Sequence, residues 1–239
     1  MIRINAKFMG DLMKQARAKA DRDQLSETGK GVVKEHFKYS VLNVGDPDNL
    51  VRNKPLEKSK YCRGFAVDLL NSIENSNHTV NEEVFSYRNI FTKPHIIDNK
   101  SGTLHFFHIP YTIDTFGLSV EDMLSSKWYG DTLTQAETAL VIMNQMGSDF
   151  KRVCIHEAFI DTPHHLAEPV YEDSLYQKPV YEWRLHVLNQ EVDYKKRLNT
   201  VCIDYTDEQL KELKDGIDET LGKIDEYVQS LQLSSKVGS

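Results

Sequence analysis

The chain has 239 residues, 40% of them hydrophobic and 27% charged, with 12 glycines and 7 prolines; this composition excludes a disordered or low-complexity polymer and supplies a sizeable core. Its longest apolar run, ALVIM at 139–143, falls far short of the roughly 18–20 residues of a membrane helix. The formal net charge of −7 argues against a surface that grips nucleic acid all over. Three widely spaced cysteines, Cys62, Cys154 and Cys202, do not make a disulfide framework and point to a reducing, cytoplasmic setting.

In chain order, residues 6–25 read as a helix, with Phe8, Leu12, Ala16 and Ala20 on one stripe and Lys14, Arg17 and Arg22 on the other side. The following SETGKG (26–31) resembles a phosphate loop but has Gln24 where a glycine is required and Gly31 where a Ser or Thr is required. It is predicted as a helix-ending loop. HFKYSVLNV (36–44) is strand-like, and GFAVDLLNSI (64–73) is a helix. PHIIDNKSGTLHFFHIPY (94–111) reads as a hairpin turning at Asn99–Gly102. Helices are predicted to start at Ser119 and at Thr134, the second through a capping box with Glu137 and ending at Gly147; its ALVIM segment makes it central and buried.

Three strands follow, at 151–160, 179–188 and 196–205. Thr206 and Gln209 form a capping box for a last helix over 207–231, where Leu210, Leu213, Ile217, Leu221, Ile224, Val228 and Leu231 make one stripe. Gly216 and Gly222 inside it each cost about 1 kcal/mol relative to Ala, so packing must offset them. The expected architecture is a single α+β domain over 1–239, an antiparallel or mixed sheet packed with helices, ending in a long amphipathic helix.

Candidate chemistry concentrates in three places. His105 and His108 stand three apart on one strand, so they face opposite sides and cannot share a metal. Alternation along the three late strands puts Val153, Ile155, Phe159, Tyr181, Trp183, Leu185, Val187, Val201, Ile203 and Tyr205 on a core face. It puts Arg152, Cys154, His156, Glu182, Arg184, His186, Thr200, Cys202 and Asp204 on the other. If the strands are neighbours, Cys154, His156, Cys202 and Asp204 supply the donors of a tetrahedral zinc, which is the one cofactor contemplated. Alternatively Cys154 is a nucleophile with His156 or His186 as base and Glu182 or Asp204 orienting it. His164 and His165 sit in the loop 161–178, where exposure is the ordinary fate of a histidine.

None of these patterns names a reaction. The expectation is therefore a non-enzymatic subunit of a larger intracellular assembly, of viral or mobile-element origin. It would act through protein–protein contacts or as a homo-oligomer, with the 207–231 stripe as contact surface. Residues 1–38 (nine basic, five acidic) and 201–239 (four basic, nine acidic) carry opposite charge, which suits mutual or intermolecular contact. The alternatives are a metal- or Cys/His-dependent hydrolase of nuclease or phosphoesterase type on the polar sheet face, and a nucleic-acid-binding module using Lys14, Arg17 and Arg22.

Overall fold

The computed structural model describes residues 2–15, 22–43, 54–167, 170–171, 179–180, 186–187 and 193–237. The order is β1 (Ile4–Asn5), α1 (Met9–Leu12), α2 (Glu27–Leu42), α3 (Lys54–Tyr61), α4 (Arg63–Glu74), β2 (Phe85–Tyr87), β3 (Ile90–Thr92), β4 (Ile96–Asp98) and β5 (Thr103–His108). Then come α5 (Val120–Ser125), α6 (Lys127–Gln145), β6 (Arg152–Ala158), β7 (Val170–Tyr171), β8 (Pro179–Val180), β9 (Leu198–Asp204) and α7 (Asp207–Val237). Two mixed sheets, β4-β5-β6-β9 and β1-β3-β2, accompany these helices, with β7-β8 as a separate ribbon. The class is α+β, as expected. No helix among the described residues is long and apolar enough to cross a membrane.

The larger sheet is built from strong alternation. β4 and β5 form an antiparallel hairpin whose turn contains Gly102 at φ +65, a left-handed conformation that glycine adopts without a Cβ penalty. β5 and β6 run parallel and are joined through α5 and α6, and β9 closes antiparallel on β6. One face carries Leu104, Phe106 and Val153 into a cluster with Ala136, Ala139, Leu140 and Met143 of α6. The other carries Ile96, Phe107 and Ala158 against Ala66, Val67 and Leu70 of α4. Each large apolar side chain buried in these layers contributes about 1.5–3 kcal/mol. Both faces are covered at their centre, so His105, His156 and Glu157 are buried there, while Arg152 and Asp204 at the edge stay exposed.

The C-terminal helix closes a second core. Thr206 and Gln209 cap it reciprocally, and Ile217, Leu221 and Ile224 pack with Met9, Leu12, Val33 and Ile142. Leu213 and Val228 flank the same cluster. The buried part of the predicted contact stripe is therefore spent inside the chain.

Four local expectations are corrected. Most of SETGKG and HFKYSVL fall in the helix α2, Glu27–Leu42: Ser26 is its N-cap, accepting from Gly29 N at 3.2 Å, Gly29, Val33 and His36 bury one helical face, and Val44 lies outside the described residues. The β-prone composition of 36–42 is overridden there by packing of the helix's buried face, with His36 edge-on to Phe8. At the N-terminus a 3₁₀ turn, Ala6–Phe8, precedes a short α1, and 16–21 lie outside the described residues. Thr134 is interior to α6, donating its hydroxyl to Gly130 O at 3.1 Å. Of the strand expected over 179–188, Pro179–Val180 pairs with Val170–Tyr171 rather than with the main sheet.

Candidate metal group and nucleic-acid groove

The register confirms that Cys154 opposes Cys202, His156 opposes Thr200 and Arg152 opposes Asp204. The zinc set does not form, because Cys154 and Cys202 are joined by a disulfide; this also corrects the reading of these cysteines as free thiols. Asp204 is exposed and lies 3.8 Å from Arg152 at the sheet edge. His186 is elsewhere, edge-on to Tyr111 and 3.3 Å from the Thr162 hydroxyl. Glu182 and Arg184 lie outside the described residues. The Cys/His nucleophile is excluded with the disulfide.

His156 instead belongs to a buried histidine array. Its Nε2 is 3.0 Å from His105 Nδ1 and its Nδ1 is 2.9 Å from Thr200 Oγ1, and the two rings are parallel within 6°. His105 Nε2 is buried with no hydrogen-bond partner among protein atoms. Orphaned buried N–H groups are rarer than under-used acceptors. The consistent tautomers have His105 Nδ1–H donating to His156 Nε2 and His156 Nδ1–H donating to Thr200 Oγ1, leaving a lone pair on His105 Nε2. Burial lowers the pKa of His105 to about 4 and that of His156 to about 3 and so holds both imidazoles neutral; neighbouring imidazoles contribute in the same direction, His78 at His105, and His105 then His78 at His156.

His105 comes together with His78 and Asp98: one ligand atom from each lies within 4.8 Å of the others. Three segments position them. The Asn71 side chain of α4 accepts from His78 N at 2.7 Å and donates to His78 O at 2.9 Å, fixing the backbone after that helix. Asp98 ends β4 as a turn residue, accepting from Lys100 N at 3.0 Å and Ser101 Oγ at 2.6 Å. His105 is central in β5. Sequence reasoning weighs His105 only with His108, rejects that pair, and misses His78 and Asp98, since nothing periodic connects residue 105 to residue 78.

A second feature lies at the carboxyl ends of the parallel pair β5 and β6, the place where open sheets with parallel strands usually receive ligands. A groove of about 940 Å³ is lined by Tyr61, Phe65, Asp68, Leu69, Ser72, Phe159, Ile160, Asp161, Tyr194 and Arg197 among others. Tyr61 and Phe65 are 57% and 54% exposed, and Tyr194 46%, so three aromatic faces are open to a planar ligand. Lys195, Lys196 and Arg197 follow Tyr194 in a 3₁₀ turn. Beside the groove, Lys58 is fully buried, donating to Pro110 O at 2.6 Å and Tyr111 O at 3.1 Å above the Phe159 ring. Burial lowers its pKa to about 8.

At the same end, Glu157 escapes sequence analysis, and His108 is weighed there only as a metal partner of His105. Glu157 lies on the face expected to be apolar, buried, accepting from Gly117 N at 3.1 Å and Asn199 Nδ2 at 3.2 Å. Burial pushes its carboxyl above the usual range. Beside it in register, His108 stacks on Trp128 with ring centroids 3.9 Å apart. Of the basic N-terminal set, Lys14 pairs with Asp11, Arg22 is exposed and Arg17 lies outside the described residues. His164 and His165 are exposed, as expected of loop histidines.

No family model matches the sequence, and no curated protein does. Solved structures do match its fold. A phage-related exonuclease from Haemophilus somnus 129PT is 16% identical with a TM-score of 0.79, covering 98% of this chain and 96% of that one. An alkaline exonuclease from Laribacter hongkongensis is 9% identical with a TM-score of 0.63, covering 99% and 95%. Its complex with dAMP is 10% identical with a TM-score of 0.57 over the same shares. These neighbours overturn the expectation of a non-enzymatic assembly subunit, which rested on missing motifs, and place the whole chain in a fold that exonucleases use.

Proposed function

We propose that this protein acts on nucleic acid as a phosphodiester hydrolase of exonuclease type. The observation that supports this reading is the end-to-end fold likeness to the Haemophilus somnus exonuclease, 98% of this chain at TM-score 0.79. The groove supports it chemically. Base stacking on aromatic side chains is tolerant of sequence and contributes about 1–3 kcal/mol per base, and Tyr61, Phe65 and Tyr194 offer such faces beside a short basic turn. The net charge of −7 makes a local, stacking-led contact a better fit than a broad electrostatic one.

One observation favours a second reading, in which the fold binds nucleic acid without cutting it. Hard divalent cations of phosphoryl-transfer sites take oxygen ligands, yet the metal-type group found among the described residues has two imidazoles and one carboxylate. End-labelled single- and double-stranded DNA, incubated with the protein and magnesium, manganese or zinc, separates the two. Stepwise shortening from one end is the expected result. Retained binding with uncut substrate under every metal would replace hydrolysis by the second reading.

A further inference from the structure

We infer that His78, Asp98 and His105 form a binding site for a zinc-type transition-metal ion, one that rejects magnesium. The three ligand atoms already lie within 4.8 Å of one another, a spread that a single ion with bonds of about 2.0–2.2 Å brings together by small side-chain motions. The independent sign of a ligand is His105 Nε2, on a residue only 5% exposed and without a protein partner. A buried polar atom left unpaired is destabilising, and a coordinated cation removes that deficit.

The surroundings are those of a metal-bound imidazole. A ligating histidine ordinarily donates its second ring N–H to a fixed acceptor, which sets the tautomer and aims the lone pair. Here His105 Nδ1–H is fixed on His156, and His156 on Thr200. Asp98 is held by Lys100 N and Ser101 Oγ, and the His78 backbone by Asn71. His78 and Asp98 are only partly buried while His105 is buried, so the group is open on its outer side. Two imidazoles and one carboxylate with an open fourth position is the donor set of a catalytic rather than a closed structural zinc site. Magnesium, which wants octahedral oxygen and keeps its waters, does not match it.

None of the three ligand residues lines the aromatic groove, and the inference does not rest on the nucleic-acid reading. Equilibrium dialysis of the full chain against zinc or magnesium, and titration with cobalt(II) read by its visible ligand-field absorption, test it without nucleic acid present. Binding of one zinc or cobalt per chain is expected, with no magnesium uptake. Asp98→Asn and His78→Ala, both at partly exposed positions, should each weaken zinc at least about tenfold and bleach the cobalt spectrum. Thr200→Val should weaken it by about 10–100-fold while keeping all three ligands. Uptake unchanged in Asp98→Asn and His78→Ala, or no stoichiometric uptake by the folded wild type, would overturn the inference. Zinc bound at this site by a protein that leaves DNA uncut would leave the site standing and remove only the hydrolytic reading.

Discussion

His108 lies flat on the Trp128 indole, and burial lowers its pKa to about 4. The unfolded chain binds a proton there from about pH 6.5 downward while the folded chain does not, so stability is intact above about 6.5 and is lost as pH falls toward 4. The loss attributable to this side chain is at most about 3 kcal/mol. Urea denaturation of His108→Phe, which keeps a ring against Trp128, should show a shallower decline of stability between pH 7 and 5 than the wild type. An unchanged pH slope would mean that the imidazole is solvated in the fold. Alternation made part of this chemistry legible: Cys154, His156, Thr200 and Cys202 do share a face, with Asp204 at its edge. The sequence does not show that the face is covered by α4, nor that the two cysteines bond to each other, because both follow from contacts between distant segments. Glu157 was hidden for the opposite reason, since its parity assigns it to the core face, where Gly117 N and Asn199 satisfy it.

At the scale of elements, the hairpin β4–β5, the strands β6 and β9, the buried α6 segment and the capped α7 are all readable from period and turn chemistry. The helix α2 is not. Its glycines and β-branched residues argue against a helix, and the packing of Val33 and His36 into the core decides otherwise. The C-terminal helix offers two opposed tests by denaturant unfolding. Leu221→Ala removes a fully buried side chain from the core shared with α1 and α2 and should destabilise the protein by about 2–5 kcal/mol. Gly222→Ala introduces a methyl with no heavy atom within 4 Å outside the helix's own backbone and should stabilise it by about 0.5–1 kcal/mol. If Leu221→Ala instead left stability unchanged while altering the oligomeric state, the stripe would be an intermolecular surface and not an internal one.

For the molecule as a whole, the class follows from the order of periodic segments, but the proposed action on nucleic acid does not. The residues assigned to that action, Tyr61, Phe65 and Tyr194, come from α3, α4 and the turn before β9, and they converge because α4 packs across the sheet beside β6. Tyr61 and Phe65 stand four apart in consecutive helices, but nothing in the sequence links that pair to Tyr194 in a distant turn. Engagement of nucleic acid through this groove is common to the hydrolytic and the non-hydrolytic readings, so a titration of labelled single-stranded DNA across a range of salt, with wild type and Tyr61→Ala/Phe65→Ala, addresses it most directly. The expected result is wild-type binding with a shallow salt dependence, few phosphates being neutralised, and an affinity loss in the variant of about 1–3 kcal/mol for each base that no longer stacks. Absence of binding by the folded wild type at low salt, or equal affinity of the double variant, would contradict it.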